Sequence, residues 1–582
     1  MLDGKHLDNK QQEAVYLPLA QSVIVDAPPG HGKTFVMARR INYLITLGKI
    51  KAPKKILGLT FTNAAASEML DDIKANVDKR DIDLVRVMTF HSLSYKILRA
   101  YGNLIGLERN FQIIGDIEKR EYIQNATNQL SLSIGEKQYA EWEKETLLKL
   151  NKNYDGDFAP EARSVYKQYL LNLDTKIDYT TLLIKVIELF EKHPLVLEIY
   201  RSLFRYILID EFQDTNPLQY QFLLQLVMGD RGNENRKISP PPVFILADEK
   251  QAIYRFLGAT PDNNILLAEK KFNCQRIILE NNYRCNSEAI VNLTNAMRQK
   301  EKMKTVSSEK VQLIISETPQ EESNLILTKV RDYQGALEDI GVIAQTQYRL
   351  FSVRDCFEKN NIPYVFVPDF KAKSIEEKYT DVFSALSILH KDKNFTGKLA
   401  TKIRSIYAEM QVDGENDVLN ALLVLASNFD AKNRTLSFPE KALLFYNDIF
   451  VELNWGRILR KTVSGKVFLS SIHGVKGLQF SQIHILGLSN FEHIHSDECW
   501  LCKFGENFSH VKETIMDAQK TLYVGATRAQ DELYLYSTRK NHKYKRRKIV
   551  GLLAPYLNCL DTQGNVDFCG PPSWINQRCT AE

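Results

Sequence analysis

The sequence predicts an α/β fold with two domains, each built around a parallel sheet. Short apolar runs that end in polar or acidic residues alternate with helical segments, which is the pattern of parallel strands joined by crossover helices. This pattern fills the first part of the chain and returns late in it. A chain of 582 residues also exceeds what one hydrophobic core usually serves, so more than one domain is expected.

The predicted strands of the first domain end where polar residues begin. Val23–Val25 leads into a glycine-containing loop, and Tyr206–Ile209 and Val243–Leu246 each lead into acidic residues. Ile56–Thr60 is a further strand of this domain. Functional side chains of open α/β sheets lie at the carboxyl ends of the strands, so these ends form the candidate site.

The second domain has its strands late in the chain. Two segments between the strands, 98–177 and 386–464, are mostly helical by pattern and are expected to be insertions. The strand candidates of this domain are Gly341–Ala344, Val467–Leu469, Ile483–Leu486 and Leu533–Tyr536.

Composition and charge restrict the function classes. No apolar run approaches the roughly 18 residues of a membrane span, and the first residues carry no apolar signal segment, so a cytoplasmic protein without a membrane partner is expected. The net charge of +5 is too small to establish a nucleic-acid partner, although it is compatible with a local basic groove. The eight scattered cysteines are expected to be reduced.

The most informative local feature is the loop Ala27-Pro28-Pro29-Gly30-His31-Gly32-Lys33-Thr34, which lies between a strand and a helix-like segment. Backbone N–H groups in such a loop attract phosphate oxygens. Lys33 is placed to reach the β- and γ-phosphates of a nucleotide, and the Thr34 hydroxyl to hold Mg²⁺. Ala27 stands where the first glycine is usual, and the two prolines remove two backbone donors. The alternative is a Gly/Pro turn that happens to end in Lys-Thr.

The second chemical feature is the acidic pair Asp210-Glu211, directly after a buried strand. Asp210 suits Mg²⁺ binding through water, and Glu211 suits the orientation or deprotonation of an attacking water. The alternative is an acidic turn without a catalytic role. Together with the phosphate loop, the pair predicts hydrolysis of a nucleoside triphosphate, with ATP and Mg²⁺ as the cofactors.

Eight short blocks stand in a fixed order along the chain. They are Leu7–Val15, Thr60–Ala66, Thr89–Ser92, Asp210–Asp214, Ala247–Phe256, Leu279–Arg284, His473–Phe480 and Leu522–Ala529. In this order they resemble motifs Q, Ia, Ib, II, III, IV, V and VI of superfamily 1A DNA helicases of the UvrD/Rep/PcrA family. The resemblance implies two RecA-like P-loop motor domains, 1A and 2A, with parallel sheets and helical accessory insertions, 1B and 2B. The implied bounds are 1–97 and 178–285 for 1A, 98–177 for 1B, 286–385 and 465–540 for 2A, 386–464 for a reduced 2B, and 541–582 for a basic C-terminal extension.

The resemblance also implies roles in the nucleotide site. Gln11 would read the adenine edge, Tyr283 would stack on the adenine, and Gln251 would sense the γ-phosphate. Arg284 and Arg528 would act as arginine fingers from opposite sides of a cleft between the motor domains. The implied nucleotide-binding residues are Gln11, Ala27, Gly30, Gly32, Lys33, Thr34, Phe35, Tyr283, Arg284 and Arg528. The implied catalytic residues are Lys33, Glu211, Gln251, Arg284 and Arg528, with Thr34 and Asp210 at the metal.

Single-stranded DNA is the partner that the resemblance implies. Phe61, Tyr254 and Phe256 would stack on bases, whereas Asn63 and His91 would touch the DNA backbone. Base stacking contributes about 1–3 kcal/mol per base and tolerates any sequence, which suits a translocating enzyme. Core packing is the alternative for each of the three aromatic residues.

The chain departs from the family pattern at several positions. Phe256 and Leu257 stand where motif III usually has Trp and Arg, and Phe35 stands where an arginine packs on adenine. Gln479 stands where motif V has Glu, which weakens the case for a ribose contact. The second insertion has about half the usual family length, which puts duplex unwinding in doubt.

Two weaker signals have open interpretations. His493, His495, Cys499 and Cys502 are either a zinc site or a surface loop with ordinary thiols. The basic run 539–548 either contacts DNA phosphates or is a solvated linker.

The function expected from the sequence is that of an ATP-dependent 3′-to-5′ translocase and helicase acting on single-stranded and 3′-tailed duplex DNA. The polarity comes from the resemblance alone. The rival is a DNA-activated ATPase switch subunit of a nuclease or effector complex, since compact members of this family occur in anti-phage systems such as the Gabija type. An ATPase that prefers RNA is the third alternative, and the pathway (repair, replication restart or defence) stays open.

Overall fold

The computed structural model describes much of the chain and divides it into two compact units, Met1–Asn281 and Asn282–Glu582. The division lies four residues before the expected end of domain 1A at residue 285. The described residues are 7–61, 63–109, 111–114, 116–135, 138–139, 159–173, 175–229, 239–253, 261–299, 310–367, 385–386, 388–392, 394–409, 417–434, 436–451, 459–460, 462–488, 508–538, 549–550, 562–563 and 568–569.

The first unit contains a six-stranded parallel sheet with the order β3-β2-β4-β5-β1-β6. All four strands predicted for this domain are confirmed. The strands are β1 (Val23–Asp26), β2 (Lys55–Thr60), β3 (Val85–Thr89), β4 (Phe204–Ile209), β5 (Val243–Ala247) and β6 (Gln275–Ile278). Its helices are α1 (Asn9–Tyr16), α2 (Lys33–Thr46), α3 (Asn63–Asn76), α4 (Phe90–Tyr101), α5 (Asp116–Gln129), α6 (Ala159–Asn172), α7 (Tyr179–Lys192), α8 (Pro194–Leu203), α9 (Pro217–Met228) and α10 (Pro261–Lys271).

Both faces of this sheet are covered, which explains why the inner strands β1, β2, β4 and β5 are largely apolar runs, whereas the edge strands β3 and β6 contain polar residues. Ile24 packs in the hydrophobic cluster on one face, and its neighbours Val23 and Val25 pack in the cluster on the other. Leu98 is also part of the first cluster, so helix α4 continues across the expected start of the insertion at residue 98. Helices α5 and α6 follow, lie in the segment predicted to be a helical insertion, and share a small core that includes Tyr139 and Tyr169.

The second unit contains a seven-stranded parallel sheet with the order β9-β10-β8-β11-β12-β7-β13. Its strands are β7 (Val311–Ser316), β8 (Ile340–Ala344), β9 (Tyr364–Phe366), β10 (Val467–Ser471), β11 (Phe480–Ile485), β12 (Ala529–Thr538) and β13 (Thr562–Gln563). Its helices are α11 (Glu288–Gln299), α12 (Pro319–Asp332), α13 (Phe351–Lys359), α14 (Leu399–Glu409), α15 (Asp417–Lys432), α16 (Phe438–Val451) and α17 (Phe508–Ala526). The predicted strands of this domain are confirmed, with β11 ending one residue before Leu486, and α14 to α16 lie in the segment predicted to be a helical insertion.

A polar cluster lies inside the second unit, between its sheet and helix α12. The ring of His484 stacks on the rings of Tyr534 and Tyr536, and its nitrogens pair with the Tyr536 hydroxyl at 2.9 Å and the Gln482 amide oxygen at 2.8 Å. On α12, burial raises the pKa of Glu322 to about 7, an effect that the charge of Arg349 partly offsets. The cluster is therefore a histidine with both nitrogens hydrogen-bonded, next to a buried carboxyl group that titrates near neutral pH.

Candidate nucleotide site and nucleic-acid interface

The predicted phosphate loop lies between β1 and α2, and its backbone requires glycine at two positions. Gly30 and Gly32 have φ angles of +83° and +81°, in the left-handed region that favours glycine. Gly32 is the N-cap of α2, and no side chain caps the helix there, so the first N–H groups of α2 have no side-chain acceptor at the N-cap. This is the backbone arrangement that attracts phosphate oxygens. The Nζ atom of Lys33 donates to the carbonyl oxygen of Ala27 at 2.8 Å, which holds the lysine over its own loop.

Gln11 connects helix α1 to the phosphate loop. Its side-chain oxygen accepts from the backbone N–H of Asp8 at 3.2 Å in a capping box, and its Nε2 donates to the carbonyl oxygen of His31 at 3.4 Å. The buried guanidinium of Arg40 on α2 reinforces the arrangement, since it donates to the Val15 carbonyl at 2.9 Å near the end of α1. Gln11 is therefore fixed against the loop, and its contact with adenine stays a prediction.

Phe35 lies in the first turn of α2 with a cation on its ring. The guanidinium carbon of Arg39 stands 4.8 Å from the ring centroid, within the range of a cation–π interaction. Arg39 was not among the predicted residues, although its position four residues after Phe35 on a helix could have suggested the contact.

The acidic pair follows β4, and its backbone is strained at Glu211. The φ angle of Glu211 is +51°, which is uncommon for a residue with a side chain and is often found at functional sites. A carboxylate oxygen of Asp210 accepts from the N–H of Glu211 at 2.9 Å and supports this turn. The strained turn thus sets the direction in which the Glu211 carboxylate leaves the sheet.

A chain of hydrogen bonds joins Glu211 to Gln251. The amide of Gln213 donates to the Glu211 carboxylate at 2.5 Å and accepts from the backbone N–H of Asp248 at 3.0 Å. The Asp248 carboxylate in turn accepts from Nε2 of Gln251 at 3.0 Å. Gln213 and Asp248 are fully buried, so this polar chain lies within the core at the ends of the neighbouring strands β4 and β5. Sequence reasoning assigned no role to either residue.

The strand order places these groups at one edge of the sheet. In the parallel register Asp26 lies opposite Ala247, and Ile209 lies opposite Ile245, so the loops after β1, β4 and β5 begin at the same end. Thr34 and Asp210 offer hydroxyl and carboxylate oxygens, which are donors of the kind that Mg²⁺ prefers. The donor set therefore fits the predicted metal, and Lys33, Glu211 and Gln251 belong to the same edge.

Both predicted arginine fingers belong to the second unit, and their approach to a nucleotide stays a prediction. The Arg284 loop is fastened to the start of β12, because Asn286 N–H donates to the Gln530 carbonyl at 2.9 Å. Arg528 directly precedes β12, and its guanidinium donates to the Val524 carbonyl at 2.9 Å and the Thr527 hydroxyl at 2.9 Å.

Tyr283, the predicted adenine-stacking residue, is 57% exposed. It lies in a turn that the Asn282 side chain closes, accepting from the N–H groups of Arg284 at 2.9 Å and Cys285 at 3.0 Å. The turn presents the ring of Tyr283 at the surface, where its stacking role stays a prediction.

The predicted DNA contacts are only partly described. Phe61 follows β2 and is half-buried, Asn63 begins α3, and Tyr254 and Phe256 lie outside the described residues. The ring of His91 on α4 meets the ring of Tyr179 edge to face at 5.3 Å. Loss of solvation lowers the pKa of His91 to about 4, so its imidazole is neutral at pH 7. A contact of His91 with a phosphate would therefore be a hydrogen bond between an N–H group and an anion, not an ion pair.

The remaining predicted sites fall outside the described residues. These are His493, His495, Cys499 and Cys502 of the candidate zinc site and the basic run 539–548. Within the described part of the chain, no group of three or more His, Cys, Asp or Glu side chains could hold a metal ion. No helix there is long and apolar enough to cross a membrane.

Comparison with known proteins follows the same division of the chain. The family model of the UvrD/REP helicase N-terminal domain matches residues 7–273, and that of the UvrD-like helicase C-terminal domain matches residues 371–540. Together they account for more than half of the chain.

Three curated relatives are each about 30% identical to this chain over part of its length. The ATP-dependent DNA helicase PcrA of Leuconostoc citreum is 29% identical over 412 residues, which cover 66% of this chain and 52% of that protein. DNA helicase II of Haemophilus influenzae is 30% identical over 392 residues, which cover 62% of this chain and 51% of that protein. PcrA of Staphylococcus aureus is 30% identical over 407 residues, which cover 66% of this chain and 54% of that protein. The chain spans about half the length of the curated relatives it matches. Because one family model lies within the first unit and the other within the second, the matches agree with the architecture, and the chain belongs to the UvrD/Rep/PcrA family of helicases.

Proposed function

We propose that this chain hydrolyses ATP to move 3′ to 5′ along single-stranded DNA and to unwind duplex DNA. The observation that carries the proposal is the hydrogen-bonded chain from Glu211 through Gln213 and Asp248 to Gln251. It joins the group suited to activating water with the group suited to sensing the γ-phosphate. The family membership supports the DNA substrate, and the polarity rests on the resemblance of the motifs.

The residues of the first unit would divide the chemistry between them. Lys33 would exchange the Ala27 carbonyl for the β- and γ-phosphates, since its Nζ already lies on the loop that binds them. Glu211 would orient the attacking water and accept its proton. Mg²⁺ held by Thr34 and Asp210 would offset the charge of the phosphates.

The residues of the second unit would stabilise charge on the transferred phosphoryl group. Arginine fingers contribute about 10³–10⁵ in rate in related phosphoryl-transfer enzymes. In this structure the Arg528 guanidinium is engaged by the Val524 carbonyl and the Thr527 hydroxyl of its own unit. Its use in catalysis would therefore require these hydrogen bonds to be exchanged for phosphate oxygens.

The engagement of Arg528 is the observation that favours the second candidate function. In that alternative the chain is a DNA-activated ATPase switch subunit of a nuclease or effector complex. DNA or the partner protein would provide the rearrangement that releases Arg528, and processive unwinding would be absent.

One experiment separates the two candidates. ATP hydrolysis is measured with no nucleic acid, with single-stranded DNA and with single-stranded RNA, alongside strand displacement from 3′-tailed, 5′-tailed and blunt duplexes. Lys33→Ala and Glu211→Gln serve as inactive controls. Displacement from the 3′-tailed substrate alone supports the helicase, whereas DNA-stimulated hydrolysis without displacement supports the switch subunit. Absence of any hydrolysis by the unmodified chain would refute both.

A further inference from the structure

The segment Leu478–Phe480, at the start of β11, contacts both predicted arginine fingers, Arg284 and Arg528. The Leu478 carbonyl accepts from Nη1 of Arg528 at 3.4 Å, and the N–H of Phe480 donates to the Arg528 carbonyl at 3.0 Å. Gln479 lies between these two residues, and its side chain faces Arg284. One short segment therefore holds the backbone and side chain of Arg528 and the side chain of Arg284.

The contact between Gln479 and Arg284 has two hydrogen bonds. With the amide oriented so that its oxygen faces the guanidinium, that oxygen accepts from Nη2 at 3.0 Å and from Nε at 3.1 Å. In this orientation the oxygen accepts two guanidinium N–H groups, whereas in the opposite one it accepts a single N–H from Nε2 of Gln530 at 3.2 Å and the amide NH₂ faces the guanidinium. The amide oxygen thus engages one edge of the planar guanidinium and fixes the plane of the ion.

The backbone of Arg284 is held independently of Gln479. The Asn282 side chain accepts from the N–H of Arg284 at 2.9 Å, and the Asn286 amide donates to the Asp531 carboxylate at 2.8 Å. The loop would therefore keep its position without Gln479. Gln479 adds two hydrogen bonds to the Nε and Nη2 edge of the long Arg284 side chain, which restrict its rotamers.

We propose that Gln479 is a positioning residue for Arg284, which it orients for the nucleotide phosphates through a neutral hydrogen-bond acceptor. The proposal rests on the proposed ATP hydrolysis for its catalytic consequence. A carboxylate at this position would accept the same two bonds as an ion pair and would place a negative charge beside the phosphate-binding group. The amide directs the guanidinium and leaves its positive charge undiminished. Gln479 thereby has a role of its own in this chain, different from the ribose contact expected of the Glu that motif V usually has at this position.

The test compares two substitutions of nearly equal volume. Gln479→Met removes the acceptor, and Gln479→Glu keeps it as a carboxylate. We expect Gln479→Met to lower kcat for DNA-stimulated ATP hydrolysis about tenfold while KM for ATP changes less than about threefold, an effect of misorientation on the transition state. We expect Gln479→Glu to recover kcat to within about threefold and to raise KM several-fold through charge repulsion. In an Arg284→Ala background, Gln479→Met should have no further effect.

A second readout does not depend on activity. In protein labelled with ¹⁵N-arginine, the Nε–H of Arg284, assigned by its loss in Arg284→Ala, should be protected from solvent exchange in the unmodified chain and in Gln479→Glu. It should be exposed in Gln479→Met. If Gln479→Met loses the protection but the unmodified chain hydrolyses no ATP, the contact between Gln479 and Arg284 is retained and the proposed function is refuted. Unchanged protection and kcat in Gln479→Met, or an equal loss of kcat in the Arg284→Ala background, would refute the positioning role.

Discussion

The buried amide of Gln213 offers the sharpest test of the catalytic arrangement. It is fully buried and uses both ends of its side chain, donating to the Glu211 carboxylate and accepting from the Asp248 N–H. Gln213→Leu replaces it with an apolar side chain that makes neither bond. The substitution therefore separates Glu211 from Gln251 without touching either residue.

The expected magnitude follows from these two contacts. Asp248 is fully buried, so its N–H would be left without the Gln213 acceptor, which costs about 1–3 kcal/mol of the unfolding free energy. Glu211 is only half-buried, and water can replace the lost donor there at a smaller cost. In catalysis, a carboxylate displaced by about 1 Å can lower kcat up to about a hundredfold. We expect kcat to fall about 10- to 100-fold with a smaller change in KM for ATP.

The assay is DNA-stimulated ATP hydrolysis together with urea unfolding of the same preparation. Gln124→Leu on helix α5 is the matched control, because that glutamine is exposed and its side chain donates to Asn128 at 3.1 Å on the surface of the same helix. The control should stay within about 0.5 kcal/mol in stability and keep its kcat. A Gln213→Leu variant with unchanged kcat would show that Glu211 is directed by its strained backbone alone. An unchanged unfolding free energy would refute the assignment of the Asp248 N–H to Gln213.

Three further predictions concern charge. Arg528→Ala should lower kcat by about a hundredfold or more while the Kd for ATP changes less than about threefold, which turnover and nucleotide-binding titrations would check. Glu322 has its folded-state pKa raised to about 7, so the folded state binds the extra proton, and stability should fall as the pH rises from about 4.5 through 7. Glu322→Gln should remove this dependence of the unfolding free energy on pH. In urea unfolding, the loss of stability between pH 5 and 8 should be smaller in the variant by up to about 3 kcal/mol. An equal pH dependence in both proteins would contradict the prediction. His91→Ala should weaken single-stranded DNA binding without changing the dependence of log K on log salt concentration, because a neutral imidazole releases no counterion. Fluorescence anisotropy at several salt concentrations measures that dependence, and a smaller slope in the variant would show that the histidine binds as a cation.

Local patterns were sufficient for much of the fold. The predicted strands of the first sheet could be recognised because they are buried, largely apolar runs, whereas β3 and β6 contain Arg86, Gln275 and Arg276 and were not predicted. The phosphate loop could be predicted because its left-handed residues, Gly30 and Gly32, are glycines. The acidic pair was recognisable because it directly follows such a strand. Each of these signals lies within a few consecutive residues.

The structure showed what no local pattern could predict. Gln213 meets Asp248 because β4 and β5 are neighbours in the sheet, and Gln479 meets Arg284 across nearly two hundred residues of sequence. The division of the chain after Asn281 also places Arg284 in the same unit as Arg528.

The sequence by itself determined the fold class, the family and the residues of the phosphate loop and acidic pair. The tertiary structure alone decided which polar side chains connect these residues. The physical reason is that strand order and side-chain orientation arise from packing between distant segments, and a buried amide such as Gln213 acquires its partners only when two strands meet.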